Sequence, residues 1–353
     1  MKVLGIAINH FRNISSAELS FQERNLFVGS NGAGKTSVAE AVAVALNGRS
    51  FRTFDSQSLL QRGCDYWRTA ISVTLSNHEP HQITMVGGPL QRERVQLDDH
   101  HVRITELSTR FPVISFVPED RDLVVGLPAV RREYLDSILA RSNPKMQRTI
   151  SRANKILKQR QNLVRSSRPD EASLDIFDHE LAESSMIIAE EREKVLVYLR
   201  AMVQEFNNRI SGSEESLHFH YMRSWSGDPF TALLAARADD LRKGTTSLGF
   251  HRDDFSIELN GLPAKTTASQ GQIRSLAIAL RIGSGELLER SMNESPILLL
   301  DDVFAEFDQQ RSGRLLDIVG HYQTFATTTE KIDGVDGWTV FEVVGGRVVS
   351  ASI

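Results

Sequence analysis

Residues 29–36 read Gly29-Ser30-Asn31-Gly32-Ala33-Gly34-Lys35-Thr36, and this segment sets the class of fold. It fits the pattern G-x-x-x-x-G-K-[ST], which is typical of a phosphate-binding loop. Residues 25–28 before it, apolar from Leu26 onward, predict a strand, and the apolar spacing from 36 to 46 predicts a helix. Glycines allow the backbone to curve around phosphates, and N–H groups at the start of a helix attract negative charge. The segment therefore predicts a nucleotide site of the P-loop type.

The loop also gives roles to its side chains. Lys35 is placed to reach the β- and γ-phosphates, and the Thr36 hydroxyl is placed to bind Mg²⁺. We therefore expect ATP and Mg²⁺ as cofactors. The residues predicted to contact the nucleotide are Gly29, Ser30, Asn31, Gly32, Ala33, Gly34, Lys35, Thr36 and Ser37.

A second segment supplies the acids that such a site needs. Apolar residues 297–300 predict a buried strand, and Asp301 and Asp302 follow it directly. Asp301 suits the position linked to Mg²⁺, and Asp302 suits the residue that polarises the attacking water. Alone, the segment would better fit an acidic turn after a buried strand. With a P-loop upstream, it indicates Asp302 and Lys35 as catalytic residues and Thr36 and Asp301 as metal ligands.

The segment Ser269-Gln270-Gly271-Gln272 indicates a P-loop protein of the ABC type. In ABC ATPases the matching S-x-G-Q signature opens a helix and contacts the γ-phosphate held by the other subunit. An ordinary helix N-cap is the alternative, because serine is well suited to that position. Glu306 and Asp308 lie just beyond the acidic strand, where ABC ATPases carry a loop that crosses the dimer interface.

These motifs predict an α/β fold: an ABC-ATPase head, with mixed sheets and helices, and an inserted short helical arm. Residues 1–120 and 245–353 are assigned to the head, and residues 121–244 to the arm. Within the arm, the apolar spacing predicts helix-rich stretches at about 128–164 and 174–210. Proteins of the SMC type insert hundreds of residues of coiled coil at this point, so this insertion predicts only a short arm.

Taken together, these segments resemble the RecF family of bacterial recombination mediators, ABC-type ATPases of the SMC-like group. The resemblance runs through nearly the whole chain in the family's order. Besides the loop, the signature and Leu300-Asp301-Asp302, it rests on Phe11-Arg12-Asn13, Gly48-Arg49-Ser50-Phe51-Arg52, Pro118-Glu119-Asp120, Arg131-Arg132-Glu133-Tyr134-Leu135-Asp136, Leu157-Lys158-Gln159-Arg160-Gln161 and His251-Arg252-Asp253-Asp254. The resemblance adds Arg12 to the nucleotide residues. It suggests contact with DNA or a second subunit for the segment that begins at His251.

The resemblance implies a protein that forms a homodimer on binding ATP. Such proteins bind double-stranded DNA, recognise gapped junctions with the partner RecR, and act with RecO and RecR to load RecA onto single strands coated by SSB. The expected activity is a weak, DNA-stimulated ATPase that serves as a conformational switch in DNA repair.

The sequence departs from other ABC ATPases in the residues around the nucleotide. Asp302 stands where many of them have Glu, which is one methylene longer. Thr327-Thr328-Thr329 stands where transporters place a His, and no Gln marks the usual Q-loop. Either Glu119 or Asp120 is expected in that neighbourhood. These departures predict slow turnover.

A basic stripe is predicted in the arm. From Arg141 to Pro169 the chain has nine Lys or Arg residues and no Asp or Glu, so its charges would repel one another without a polyanion. At 100° per residue five of them share one helix face, which indicates DNA contact; a solvated face is the alternative. They are Arg141, Lys145, Arg148, Arg152 and Lys155.

The composition and net charge limit the classes of site and partner that the chain can have. The net charge of −4 means that any DNA binding must come from a local patch. A single cysteine, Cys64, excludes an internal disulfide and a Cys-rich zinc site, and no carboxylate or Cys sits at the spacing of a metal site around His100-His101. No apolar run reaches the ~18 residues that cross a bilayer, so we expect no membrane partner and a cytoplasmic, nucleoid-associated protein.

Two other functions remain open. An ABC ATPase coupled to a transporter is disfavoured by the large insertion and by the missing Gln and His. A nuclease-associated ABC ATPase is disfavoured because the 52 residues after Asp301 are too few for a Toprim-type metal domain.

Overall fold

Strands dominate both ends of the chain, and helices dominate its middle. The computed structural model describes residues 1–53, 55–89, 91–329 and 337–350. Within these ranges the strands are β1 (Lys2–Phe11), β2 (Ile14–Ser20), β3 (Arg24–Val28), β4 (Trp67–Thr74), β5 (Pro80–Gly88), β6 (Gln91–Leu97), β7 (His100–His101), β8 (Val113–Phe116), β9 (Leu217–Met222), β10 (Asp254–Leu259), β11 (Leu262–Pro263), β12 (Ile297–Leu300), β13 (Thr324–Thr328), β14 (Thr339–Val344) and β15 (Arg347–Ser350). The helices are α1 (Lys35–Asn47), α2 (Ile104–Arg110), α3 (Asp122–Val125), α4 (Pro128–Ser142), α5 (Pro144–Val164), α6 (Glu171–Ser211), α7 (Pro229–Lys243), α8 (Ala264–Thr267), α9 (Gln270–Met292) and α10 (Gln309–Val319).

The first large sheet is antiparallel, with strand order β2-β1-β4-β5-β6-β7. Its strands show the two-residue alternation of a sheet with one packed face. In β4, for example, Trp67, Ile71 and Val73 are buried whereas Ser72 between them is exposed.

The second large sheet has strand order β15-β14-β3-β13-β12-β8, and all neighbours except β15 and β14 are parallel. Parallel strands are covered on both faces, so they read as continuous apolar runs. The predicted strand 297–300 is such a run, and all four of its residues are buried. The carboxyl ends of β3, β13 and β12 therefore meet at one edge of this sheet.

Helix α1 contacts strands of both large sheets. It is buried on every face, including Ala39, Val42, Ala43 and Ala45, so its small side chains allow two sheets to pack against it. The helix ends at Gly48, which has a left-handed φ of 73°. A Cβ there would lie 2.3 Å from the Ile104 side chain, so the position requires glycine.

The chain divides into two compact units. Unit 1 comprises Met1–Asp120, Phe206–Ser213 and Ile278–Ile353, and it contains both large sheets and α1. Unit 2 comprises Arg121–Glu205 and Glu214–Ala277, and it contains α4, α5, α7 and the three-stranded sheet β11-β10-β9.

The small sheet is an addition to the helical arm that the sequence predicts. Strand β9 and helix α7 fall in 211–244, a segment for which the sequence pattern predicted neither element. Because β9 pairs with β10, residues 245–277 group with unit 2 rather than with the predicted head. The division into a head and an arm with separate roles stays a prediction.

The first helix-rich stretch is two helices rather than one. Asn143 is extended, with φ −144°, and its side chain accepts a hydrogen bond from the N–H of Lys145 (2.9 Å). Pro144 occupies the first position of α5, where a missing N–H costs nothing. This break separates Arg141 from the rest of the predicted stripe.

Unit 2 has a charged interior. Arg160 and its partners Asp178 and Asp240 are all fully buried, and Asp240 accepts a hydrogen bond from Arg160 at 2.8 Å. Arg192 makes two parallel hydrogen bonds of 2.8 Å to Asp136. Bidentate, desolvated pairs of this kind fix the relative orientation of helices, although each buried charge costs several kcal/mol of desolvation.

His251 lies in the same interior. Its Nε2–H donates to the carbonyl of Thr246 (3.1 Å), and its Nδ1 has no partner among the described residues. Burial lowers the pKa of His251 from 6.5 to about 4, and the neighbouring Arg252 and Arg132 reinforce the shift.

We predict that this histidine makes the fold sensitive to acid. The imidazole of the unfolded chain takes up a proton below about pH 6.5, whereas the folded one stays neutral down to about pH 4. The free energy of unfolding should therefore fall by about 2 kcal/mol between pH 7.5 and pH 5 on account of this residue. His251→Gln should remove that part of the pH dependence in urea unfolding. Identical pH dependence in both proteins would contradict the prediction.

Candidate nucleotide-binding site

The loop between β3 and α1 has the conformation that its glycines permit. Gly32 and Gly34 have φ of 78° and 117°. The φ of Gly34 is one that residues with a Cβ rarely adopt, so this position favours glycine, and a Cβ there would also lie 2.9 Å from the carboxamide of Asn13. The N–H of Gly29 donates to the carbonyl of Thr328 at the end of β13 (3.3 Å), which ties the loop to the sheet.

A cavity of about 660 Å³ lies beside this loop, a size that suits a nucleotide-sized ligand. It brings together most of the predicted nucleotide residues: Arg12, Asn31, Gly32, Gly34, Lys35, Thr36 and Ser37. Asp302 lies in the same wall. The predicted residues Gly29, Ser30 and Ala33 form the loop but do not line the cavity.

Lys35 is folded into the loop. Its side chain is buried, and its Nζ donates to the carbonyl oxygens of Gly29 (2.9 Å) and Ser30 (3.1 Å). Carbonyl groups hold the ammonium while leaving it charged. The chain therefore keeps a positive charge at the wall of the cavity.

Asp301 is held by two hydroxyl groups. Thr36 Oγ1 donates to Asp301 Oδ1 at 2.7 Å, and Thr327 Oγ1 donates to the same oxygen at 2.8 Å. Burial raises the pKa of Asp301, and these two hydrogen bonds oppose the rise. The structure thus brings Thr36 and Asp301 together, as their predicted roles require.

The residues present fit Mg²⁺. Thr36 and Asp301 offer oxygen atoms, which Mg²⁺ prefers, and this ion needs few protein ligands besides phosphates and water. No described residue hydrogen-bonds to Oδ2 of Asp301, so that oxygen is available to a metal. Within the described residues no group of three or more His, Cys, Asp or Glu forms a separate metal site.

Asp302 has a left-handed backbone, with φ 51° and ψ 23°. Such a conformation costs a non-glycine residue of order 1 kcal/mol or more. The N–H of Asp302 donates to Thr327 Oγ1 (3.0 Å), and its Oδ1 is buried without a hydrogen-bond partner in the described part of the chain. Asp302 as a residue still lines the cavity, so its carboxylate is the acid of this edge that borders the open space.

Arg12 lines the cavity, but its guanidinium is engaged. It makes two hydrogen bonds to the fully buried Glu40 (2.6 and 2.8 Å) and a third to the carbonyl of Ser58 (2.8 Å). Asn13 supports the loop in turn, because its side chain donates to the Gly32 carbonyl (3.2 Å) and accepts from the Ser37 hydroxyl (2.9 Å).

Sequence reasoning missed several residues of the cavity wall, namely Asn13, Arg52, Ser58, Leu60, Gln61 and Arg62. Asn13 and Arg52 belong to segments that carried the family resemblance, which is the signal that could have found them. The others depend on tertiary pairing. Phe11 forms an isolated bridge with Leu60, and the N–H of Gln61 donates to the His10 carbonyl (2.9 Å), so this loop comes to lie beside β1.

The signature segment lies in unit 2, where it opens α9. Ser269 and Gln272 form a reciprocal cap: the N–H of Ser269 donates to Gln272 Oε1 (2.9 Å), and Ser269 Oγ accepts from the N–H of Gln272 (3.3 Å). Ser269 and Gln270 are exposed, and Gly271 is half-buried. The serine hydroxyl keeps its proton free to donate outward, so capping and phosphate contact are compatible.

The other acidic residues that the sequence singled out in unit 1 differ in their contacts. Asp308 caps α10 by accepting from the N–H of Arg311 (2.8 Å), and the side chain of Glu306 lies outside the described residues. Asp120 turns inward, where it pairs with Arg281 and accepts from the N–H of Val117 (3.0 Å). Glu119 is exposed, so it is the acid of this pair with a free carboxylate.

Four of the five stripe residues lie exposed on α5: Lys145, Arg148, Arg152 and Lys155. The projection onto a single helix is wrong for Arg141, which lies in the last turn of α4 and is half-buried. Met146, Ile150 and Ala153 form the buried side of α5, so the basic face points away from the packed one. Arg152 also makes a surface ion pair with Glu180 (2.9 Å).

Within the described ranges, every helix is too short or too polar to span a lipid bilayer.

The family model of the RecF/RecN/SMC N-terminal domain matches residues 2–331 of the chain. The DNA replication and repair protein RecF of Ruminiclostridium cellulolyticum is 31% identical, over 99% of this chain and all of that protein. The RecF protein of Geotalea daltonii is 32% identical, over 99% of this chain and all of the relative.

Comparison with solved structures agrees with the sequence matches. One is a structure of the recombination mediator RecF with ATP, described as part of the RecFOR pathway. It superposes on this chain with a TM-score of 0.91 at 28% identity, and the match covers 99% of this chain and 97% of the RecF chain. The Smc head domain of Pyrococcus furiosus superposes with a TM-score of 0.60 at 15% identity, and the match covers 99% of this chain and 96% of the Smc chain. At this identity the similarity is evidence of a shared fold only. The predicted fold class, an α/β ABC-ATPase head with an inserted helical part, is confirmed. This chain belongs to the RecF family.

Proposed function

We propose that this protein is an ATP-dependent DNA-binding protein of recombinational repair, in which slow ATP hydrolysis acts as a switch. The observation that carries the proposal is the single cavity that joins Lys35, Thr36 and Asp302, with Asp301 hydrogen-bonded to Thr36 at 2.7 Å. A cation, a hydroxyl, a buried carboxylate and a second carboxylate are the groups that nucleotide hydrolysis requires.

Binding of ATP would exchange the contacts of Lys35. Its ammonium would leave the carbonyls of Gly29 and Ser30 and lie against the β- and γ-phosphates, and the N–H groups of residues 32–36 would donate hydrogen bonds to the phosphate oxygens. Thr36 and Asp301 would hold Mg²⁺, which supplies charge neutralisation to the phosphate oxygens. The membership of the RecF family supports ATP as the nucleotide.

Hydrolysis would depend on Asp302. Asp302 lines the cavity, and its carboxylate would accept a hydrogen bond from a water molecule beside the γ-phosphate and orient it. Aspartate is one methylene shorter than the glutamate of faster ABC ATPases, so the water is held less closely. We therefore expect weak turnover, and we propose its stimulation by DNA from the resemblance to the RecF family.

A second copy of the chain would complete the site. The signature Ser269 to Gln272 presents a hydroxyl and the N-terminal amides of α9 at the surface of unit 2, where they suit a γ-phosphate held by another subunit. Glu306 and Asp308 would lie at the same dimer interface. ATP would therefore drive dimer formation, and hydrolysis would reverse it.

The exposed stripe on α5 would bind the phosphates of duplex DNA without reading bases. By kinship with proteins described as RecF of the RecFOR pathway, we further propose gapped duplex DNA as the substrate, RecR and RecO as partners, and RecA loading on SSB-coated strands as the outcome. The cytoplasm, at the nucleoid, is the expected location.

We predict that Ser269→Arg prevents ATP-dependent dimer formation, because it places a bulky cation at the positive end of α9. Light scattering of the wild-type protein with a non-hydrolysable ATP analogue should show a dimer, and the variant should remain a monomer. Ser167→Arg, an exposed serine before α6, is the matched control and should dimerise normally. Full-rate hydrolysis by a monomer, or an unaffected Ser269→Arg dimer, would overturn the shared site.

Charge reversal on α5 should weaken DNA binding. Arg148→Glu with Lys155→Glu should lower duplex affinity more than tenfold at low salt and reduce the slope of log affinity against log salt by about 2. ATP binding should be unchanged. The matched control, Lys194→Glu with Arg242→Glu, alters net charge equally at exposed sites on α6 and α7 and should bind DNA nearly as wild type. Equal losses in both double variants would indicate general electrostatics rather than a stripe.

A further inference from the structure

One buried hydroxyl touches both acids of the cavity. Thr327 is fully buried near the end of β13. Its Oγ1 donates to Asp301 Oδ1 at 2.8 Å and accepts from the N–H of Asp302 at 3.0 Å. A hydroxyl has one proton to donate and lone pairs to accept, so the two contacts together fix its rotation.

The sheet explains why Thr327 lies there. Strand β13 is hydrogen-bonded to β3 on one side and to β12 on the other. Ala326 pairs with Leu300, so the next residue, Thr327, comes level with Asp301 at the carboxyl edge of the sheet. Transporters of this class place a histidine just beyond the equivalent strand, and the threonines here had no assigned role.

Thr327 controls a different property of each acid. Thr36 and Thr327 both bind Oδ1 of Asp301, and this leaves Oδ2 as the oxygen that can face a metal. At Asp302, the hydrogen bond stabilises the left-handed backbone at φ 51°, which directs the carboxylate to the cavity wall. Without the hydroxyl, the N–H of Asp302 would have no partner at this point.

We infer that Thr327 is a positioning residue for ATP hydrolysis, which orients the metal-binding Asp301 and the water-directing Asp302 with one hydroxyl group. The inference rests on the proposed function. It goes further by assigning the coupling between Asp301 and Asp302 to a buried residue that does not line the cavity. Residues in such outer contacts typically change metal affinity or activity by about ten- to a hundredfold when they are replaced.

The test compares three single variants on the full-length protein. Thr327→Val keeps the size and shape of the side chain but removes the hydroxyl, and Thr327→Ser restores a hydroxyl. Thr324→Val is the matched control, because Thr324 is fully buried in the same strand and its hydroxyl donates to the carbonyl of Tyr322 (3.1 Å) instead of contacting an acid. Thermal melting of all three establishes that they fold.

Two readouts separate positioning from packing. The first is the Mg²⁺ concentration needed for half-maximal binding of a fluorescent ATP analogue, which should rise about tenfold in Thr327→Val. The second is kcat for ATP, which should fall about ten- to a hundredfold with little change in metal-free ATP binding. Thr327→Ser should lie near wild type in both, and Thr324→Val should match wild type.

Three outcomes would overturn the inference: wild-type Mg²⁺ dependence in Thr327→Val, no recovery in Thr327→Ser, or an equal defect in Thr324→Val. Different results would contradict the proposed function itself. If the wild-type protein neither binds nor hydrolyses ATP, or Asp302→Asn hydrolyses it normally, the fault lies with the assigned activity and not with Thr327.

Discussion

The parallel register of β3, β13 and β12 is the constraint on which the rest of the site depends. It brings the loop after β3 and the acids after β12 to the same sheet edge, although Thr36 and Asp301 are 265 positions apart in the chain. A shift of one residue in either pairing would turn side chains to the opposite face of the sheet. The hydrogen bonds between Thr36, Asp301 and Thr327 are therefore a direct consequence of strand pairing rather than of local sequence.

Helix α1 adds a second constraint at the same place. Its alanine-rich surface is buried on every face by two sheets, which fixes the direction in which its first N–H groups point. The buried pair of Arg12 with Glu40 attaches the turn after β1 to the middle of this helix. The phosphate loop is thus held at its helix end by packing and at its strand end by the hydrogen bond from Gly29 to Thr328.

Features with a local signal could be predicted from the sequence, and features set by distant partners could not. The loop at 29–36 and the strand at 297–300 each contain their whole pattern within a few residues. Strand β9 is short, lies between two helices, and is stabilised by β10 far along the chain, so its own residues gave little indication of a strand. Charge counting also included Arg160 among the nine basic residues of 141–169, yet it is fully buried between two aspartates.

Long-range contacts also give a structural role to the segment 251–254, for which the family resemblance suggested contact with DNA or a second subunit, and that contact stays a prediction. Asp253 is fully buried, where it accepts a hydrogen bond from Tyr221 (2.8 Å), and Asp254 makes a bidentate pair with Arg131 (2.8 and 2.9 Å). Arg132 donates to the carbonyl of Asp253 (2.7 Å). The two motifs that carried the family resemblance therefore bind each other inside unit 2. Because removing one member of a buried ion pair leaves its partner uncompensated, these residues are constrained by folding before any contact with DNA is considered.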